Sequence, residues 1–192
     1  MGDPPKGQRR CIVVVPKQAA PGHPWSWQGC YWDHEPQTEV ELLRRGFHIA
    51  FITPDPGKQW DAWYAWLTET HGLSTKPAFV GMSKGGVNEY DWTTANPDKV
   101  ACVYGRSPTL RNLMSKTAPL ENLGPLAKAG VPLLHVCDKT DPWFNAQTKG
   151  VAQRYKELGG EVTIIINEHD ARYPLAAADQ TRVVDFLISK AK

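Results

Sequence analysis

The stretch Ala78-Phe79-Val80-Gly81-Met82-Ser83-Lys84-Gly85-Gly86 sets one serine between glycines two residues before it and two after it. An apolar, strand-like run leads in and a helical pattern leads out. A serine on so sharp a strand-to-helix turn has its hydroxyl exposed, and neighbours without side chains let strand and helix come close. The following helix aims its unpaired N–H groups and positive dipole end at the same point, which favours negative charge there. The combination suits attack on an acyl carbon, with Ser83 as nucleophile and the Lys84 backbone N–H as first donor to the oxyanion. The bland alternative for the motif alone is a glycine-rich turn without chemistry. It is not a phosphate loop, because the Gly-Lys-Ser/Thr order is absent.

A serine nucleophile needs a base, and the base an orienting acid. Where this kind of turn carries a triad, the chain order is serine, acid, histidine. Asp138 and Asp141 both follow the apolar run 133–137. Asp141 is the expected acid, because the turn must carry the carboxylate back over the sheet edge; Asp138 reads as a turn former or cap. Of the six histidines only His169 follows Asp141, which makes it the expected base. The stretch 18–36 after the first strand is expected to supply the second oxyanion donor, through a backbone N–H at Trp25, Ser26 or Trp27. His34 and Glu35 either line the same cleft or serve the turn and helix start at Pro36. Arg106, just past a strand end, is available to an anionic substrate. Lys84, Lys139, Glu168 and Asp170 read as solvated side chains.

The elements that must hold these residues alternate. Short aliphatic or β-branched runs at 11–15, 48–53, 78–81, 100–104, 133–137 and 162–166 have the character of strands buried on both faces. Helical patterns at 37–45, 60–70, 84–95, 121–129, 147–158 and 181–191 lie between them, several ended by glycine or proline. The alternation predicts one α/β domain over residues 1–192, doubly wound and mostly parallel, with helices on both faces and residues 1–10 flexible. The irregular stretches 16–36 and 105–120 should overhang the carboxyl edge of the sheet, where ligands bind in such folds. The interval between the strands at 100 and 133 is too short for an inserted cap beside its helix, so the cleft should be shallow and open.

Composition narrows the class. The 192 residues suffice for one core without staples, and 41% hydrophobic with 22% charged residues is ordinary for a globular domain. A net charge of +2 with scattered Lys and Arg argues against nucleic acid. No run approaches the length of a membrane span and no signal peptide is evident, so no membrane partner is expected. The four cysteines lack metal-binding spacing; Cys11, Cys102 and Cys137 read as buried thiols, and no metal or cofactor is expected. Eight tryptophans are many; most should pack the core, and those in loops could wall a cleft.

Taken together, these motifs resemble compact α/β-hydrolase family proteins related to the prolyl-oligopeptidase and dienelactone-hydrolase-like esterases. The resemblance spans nearly the whole chain. It is carried by Val13-Val14-Val15-Pro16-Lys17, Pro24-Trp25-Ser26-Trp27, His34-Glu35-Pro36, Arg45-Gly46-Phe47-His48, Gly81 to Gly86, Ala95-Asn96-Pro97-Asp98-Lys99-Val100, Asp141-Pro142-Trp143 and Tyr173-Pro174-Leu175. It implies Ser83 as nucleophile and Asp141 as acid. It also implies Gly-His directly before Tyr-Pro, where this chain reads Ala171-Arg172. Arginine keeps its proton and cannot act as a base. Either His169, three residues upstream, completes the triad, or the triad is broken and binding remains. The expected function is hydrolysis of a small-molecule carboxylic ester, the alternative a triad-deficient binding protein, with Arg172 in the cleft. A peptidase ranks lower, for want of a domain restricting access.

Overall fold

Residues 8–53, 58–110, 122–142 and 144–191 are described by the computed structural model. Seven strands form one sheet: β1 (Cys11–Val14), β2 (Trp25–Gln28), β3 (His48–Ile52), β4 (Ala78–Met82), β5 (Cys102–Arg106), β6 (Leu133–Asp138) and β7 (Val162–Asn167). Their order is β1-β3-β2-β4-β5-β6-β7. Only β1 runs antiparallel, against β3. Side chains alternate between two cores, as the two-residue period of a strand requires. Ala78 and Val80 face one, Phe79 the other.

Helices α1 (Gln37–Arg44) and α6 (Ala177–Lys190) cover one face through Leu42, Val183 and Leu187. Helices α2 (Lys58–Ala65), α3 (Lys84–Ala95), α4 (Gly124–Lys128) and α5 (Lys149–Glu157) cover the other. That face is aromatic: Trp27 stacks on Trp60 at 4.8 Å and on Phe79 at 5.1 Å. Core packing therefore accounts for Trp25, Trp27, Trp60, Trp63 and Trp92.

β2 is a strand where an irregular stretch was expected. Its four residues follow Pro24 in a Pro- and Gly-rich segment and carry two polar side chains, so no apolar run announces it. Its burial comes from position, between β3 and β4 at the centre of the sheet. The chain leaves β2 toward β3 by way of α1, then returns past β2 to β4 and moves on through α3. The winding direction therefore reverses between β2 and β4, and their carboxyl ends open a crevice of the kind that binds ligands in open α/β sheets.

Smaller differences have local causes. The helix expected at 60–70 is α2 followed by a wider π turn, Trp66–Thr70. α6 begins at Ala177, ahead of the expected 181. β5 extends to Arg106, so that residue lies within the strand. Cys11 is exposed at the start of an edge strand rather than buried; Cys102 and Cys137 are buried. Arg10 is tied to the residue just past β3, its N–H donating to Thr53 Oγ1 at 2.8 Å. Residues 1–7, the start of the helix expected at 121–129, and most of the stretch 105–120 lie outside the described residues.

Candidate active site

Ser83 lies between the end of β4 and the start of α3 with φ +49° and ψ −122°, a conformation that costs about 1–3 kcal/mol for a residue with a side chain. Backbone hydrogen bonds hold it there. Its N–H donates to the Arg106 carbonyl at 3.1 Å, and its carbonyl accepts from Thr109 N–H at 2.8 Å and Gly86 N–H at 3.0 Å. The motif glycines are required by close approach. A Cβ on Gly81 would run into the Glu89 carboxyl, and one on Gly85 would lie 3.1 Å from Cys30 Cβ and 3.3 Å from Cys30 N. The loop after β2 thus touches the first turn of α3 directly beside Ser83.

Glu89 is the unexpected member of this neighbourhood. It is fully buried under the elbow, between Gly29 and Gly81. The Gly29 N–H is taken by the Val80 carbonyl, and neither Glu89 oxygen has a hydrogen-bond partner among the described residues. Burial raises its carboxyl well above the usual 4.5 and so favours the neutral form in the folded protein. A raised folded value means stability is lost as pH rises beyond 4.5, while the unfolded chain ionises and the folded chain does not. Glu89→Gln, which cannot ionise, should therefore be more stable than wild type at neutral and alkaline pH. Urea unfolding across pH should show that advantage shrinking below 4.5 and vanishing well below it, where both side chains are neutral in both states. A pH-independent difference would refute the neutral buried carboxyl.

The cleft over Ser83 has a volume of about 480 Å³. Met82 and Ser83 form its floor, Tyr31 and His34 one wall, and Asp170, Arg172 and Tyr173 the other. The walls are the β2–α1 loop and the loop after β7. Arg106, buried at the end of β5, ties them together. Its guanidinium donates to the Ala171 and Tyr173 carbonyls on one loop and, at 3.3 Å, to the Glu35 carbonyl on the other. A side chain that the sequence leaves available to an anionic substrate is bonded to backbone instead. His34 makes a second tie, Nε2 to the Arg172 carbonyl at 2.9 Å.

The other expected residues are dispersed. Trp25, Ser26 and Trp27 lie in central strand β2, fully buried, with their backbone in the sheet ladder; that rules them out as loop donors facing the cleft. Cys30, two residues beyond β2, is where the loop meets α3. Lys84 is exposed at the start of α3. Asp138 accepts from Thr140 N–H at 2.8 Å, the behaviour of a turn former. Asp141 is buried in the next turn. His169 is exposed, its carbonyl held by Asn167 Nδ2 at 2.7 Å, and neither it nor Asp141 lines the cleft.

Arg172 does line the cleft. Its guanidinium pairs with Asp170, Nη2 to Oδ2 at 2.7 Å and Nε to Oδ1 at 2.8 Å. Those bonds, and then the fields of Asp141 and Asp138, raise its pKa despite partial desolvation. The Arg172 bonds likewise hold the Asp170 carboxyl below its usual range. A smaller apolar cavity of about 190 Å³ lies behind the Tyr31–His34 wall, with Trp32, Val40 and Leu43 among its lining. Glu39 reaches into it, pushed up to about 7 by burial, with Arg106 and Gln28 acting in the opposite direction. Among the described residues no group of three His, Cys, Asp or Glu is placed to hold a metal ion, and no helix is long and apolar enough to cross a membrane.

No family model matches the chain, and no curated protein matches it in sequence. Solved structures do match. Mycobacterium tuberculosis MPT51 (FbpC1) aligns with a TM-score of 0.70 at 13% identity, over 95% of this chain and 93% of that one. A dienelactone hydrolase from Anabaena variabilis aligns with a TM-score of 0.66 at 14% identity, over 98% and 94%. Carboxyl esterase 2 from the fungus Tuber melanosporum aligns with a TM-score of 0.66 at 14% identity, over 96% and 88%. The protein has the α/β-hydrolase fold.

Proposed function

We propose that this protein hydrolyses a small carboxylic ester through Ser83. The observation that carries the reading is the strained backbone of Ser83 lining the cleft, held by three hydrogen bonds from neighbouring residues. Strain maintained so firmly at a ligand-binding edge is a mark of function. Ser83 Oγ attacks the acyl carbon, and the Lys84 N–H receives the oxyanion, joined by the Cys30 N–H from the loop that abuts Gly85. Water then releases the acyl group. The names of two structural neighbours, a carboxyl esterase and a dienelactone hydrolase, agree with this chemistry.

A fluorophosphonate probe tests the assignment, because it reports an activated serine without knowledge of the substrate. One adduct per chain is expected, on Ser83, and none on Ser83→Ala. A wild-type protein that stays unlabelled would sink the hydrolase reading. It would favour the second one, a binding protein on this fold, whose support is Arg172, paired with Asp170, on the cleft wall where the family resemblance calls for histidine.

A further inference from the structure

Resting on Ser83 as nucleophile, we infer that its base is His34, supplied from the β2–α1 loop on the opposite wall from the usual base position. His34 lines the same cleft as Ser83. Its Nε2 lies 2.9 Å from the Arg172 carbonyl oxygen, which can only accept, so Nε2 carries the proton. The tautomer is thereby fixed, and Nδ1 is the ring atom with a free lone pair. The ring stands edge-on to Tyr173, centroids 6.5 Å apart. The His34 N–H donates to the Tyr31 carbonyl at 3.3 Å, and Asp33 and Glu35 on either side hold φ of +68° and +49°. Arg106 secures the Glu35 carbonyl. A histidine that merely caps a turn needs none of this.

The arrangement is that of a base oriented by a third group, with a backbone carbonyl in place of the carboxylate. As the Ser83 Oγ–acyl bond forms, the hydroxyl proton passes to His34 Nδ1. As the bond to the leaving alcohol breaks, that proton passes to the alcohol oxygen. Water enters by the same route, gives its proton to Nδ1, and leaves with the acyl group as the acid while Ser83 Oγ regains the proton. A neutral carbonyl stabilises the imidazolium less than a carboxylate does, so the enzyme is slow beside a full triad, by up to about 10⁴-fold. The oxyanion donors are untouched by this substitution of roles. Chain order hides the residue, since the base precedes the nucleophile in sequence.

The test compares rates of fluorophosphonate labelling and of p-nitrophenyl acetate hydrolysis. His34→Gln keeps an N–H donor for the Arg172 carbonyl and removes the basic nitrogen. It should lower both rates by about 10²–10⁴-fold, far more than His169→Gln does. In His34→Ala, added imidazole should restore a measurable part of the labelling of Ser83. Unchanged labelling of His34→Gln overturns the proposal and leaves Ser83 standing, as does loss on His169→Gln with His34→Gln unaffected. A folded His34→Ala protein, by circular dichroism, that imidazole does not rescue also overturns it. Absence of label on the wild type removes the Ser83 reading and the proposal with it.

Discussion

Arg172→His should raise kcat/KM for p-nitrophenyl acetate about 10²–10³-fold. Position 172 lines the cleft with Ser83, and the charges of Asp141 and Asp138 act on its side chain. Arginine there can accept no proton. An imidazole in its place would line the same cleft as the hydroxyl, within reach of the Asp141 field that would stabilise the charged form. Asp141→Asn should therefore cancel most of the gain in the Arg172→His background, and His34→Gln should cease to matter there. The Arg172 carbonyl that His34 holds is backbone and survives the change. Loss of the Arg172–Asp170 pair should cost little, under about 1 kcal/mol for so exposed an ion pair. No gain, in a protein whose Ser83 still labels, would mean that position 172 does not face the nucleophile productively.

Arg106→Met should destabilise the fold by about 3–5 kcal/mol, read as a lowered urea midpoint. The guanidinium is buried and satisfies carbonyls of Ala171, Tyr173 and Glu35. A side chain of similar length without donors leaves three acceptors in a place water reaches poorly, at about 1–3 kcal/mol for each that finds no other partner. Lysine should not rescue it, because one ammonium cannot span two loops as a planar fork does. Activity should fall as well, since both walls of the cleft lose their common anchor. Glu39 reports the same event independently: without the Arg106 charge its carboxyl should rise above about 7. A stable Arg106→Met protein with an intact cleft would show that the loops are held by other contacts.

Much of the framework was legible in the sequence. The runs that became β1, β3, β4, β6 and β7 are apolar and short, bounded by glycine, proline or polar residues. α3 spans Lys84–Ala95 as expected, because Ser83-Lys84-Gly85 starts it and Asn96-Pro97 forbids its continuation. The elbow was legible for the same reason: glycine, serine and glycine at fixed spacing on a strand-to-helix turn are a local necessity. β2 was not legible, since Trp25-Ser26-Trp27-Gln28 owes its burial to neighbours far along the chain.

What the sequence determined by itself was the alternation of elements, the strained turn that presents Ser83, and the arginine at position 172. These depend on propensities and sterics that act within a few residues. Only the tertiary structure decided what faces Ser83. The reversal between β2 and β4 brings the loop bearing His34 into the cleft and buries Trp27, while Arg106 clamps the loop bearing Arg172 against it. His169 came out on the surface although chain order favoured it. Order along the chain ranks candidates, but proton transfer needs contact. Contact is set by how loops from distant strands close over one edge of the sheet.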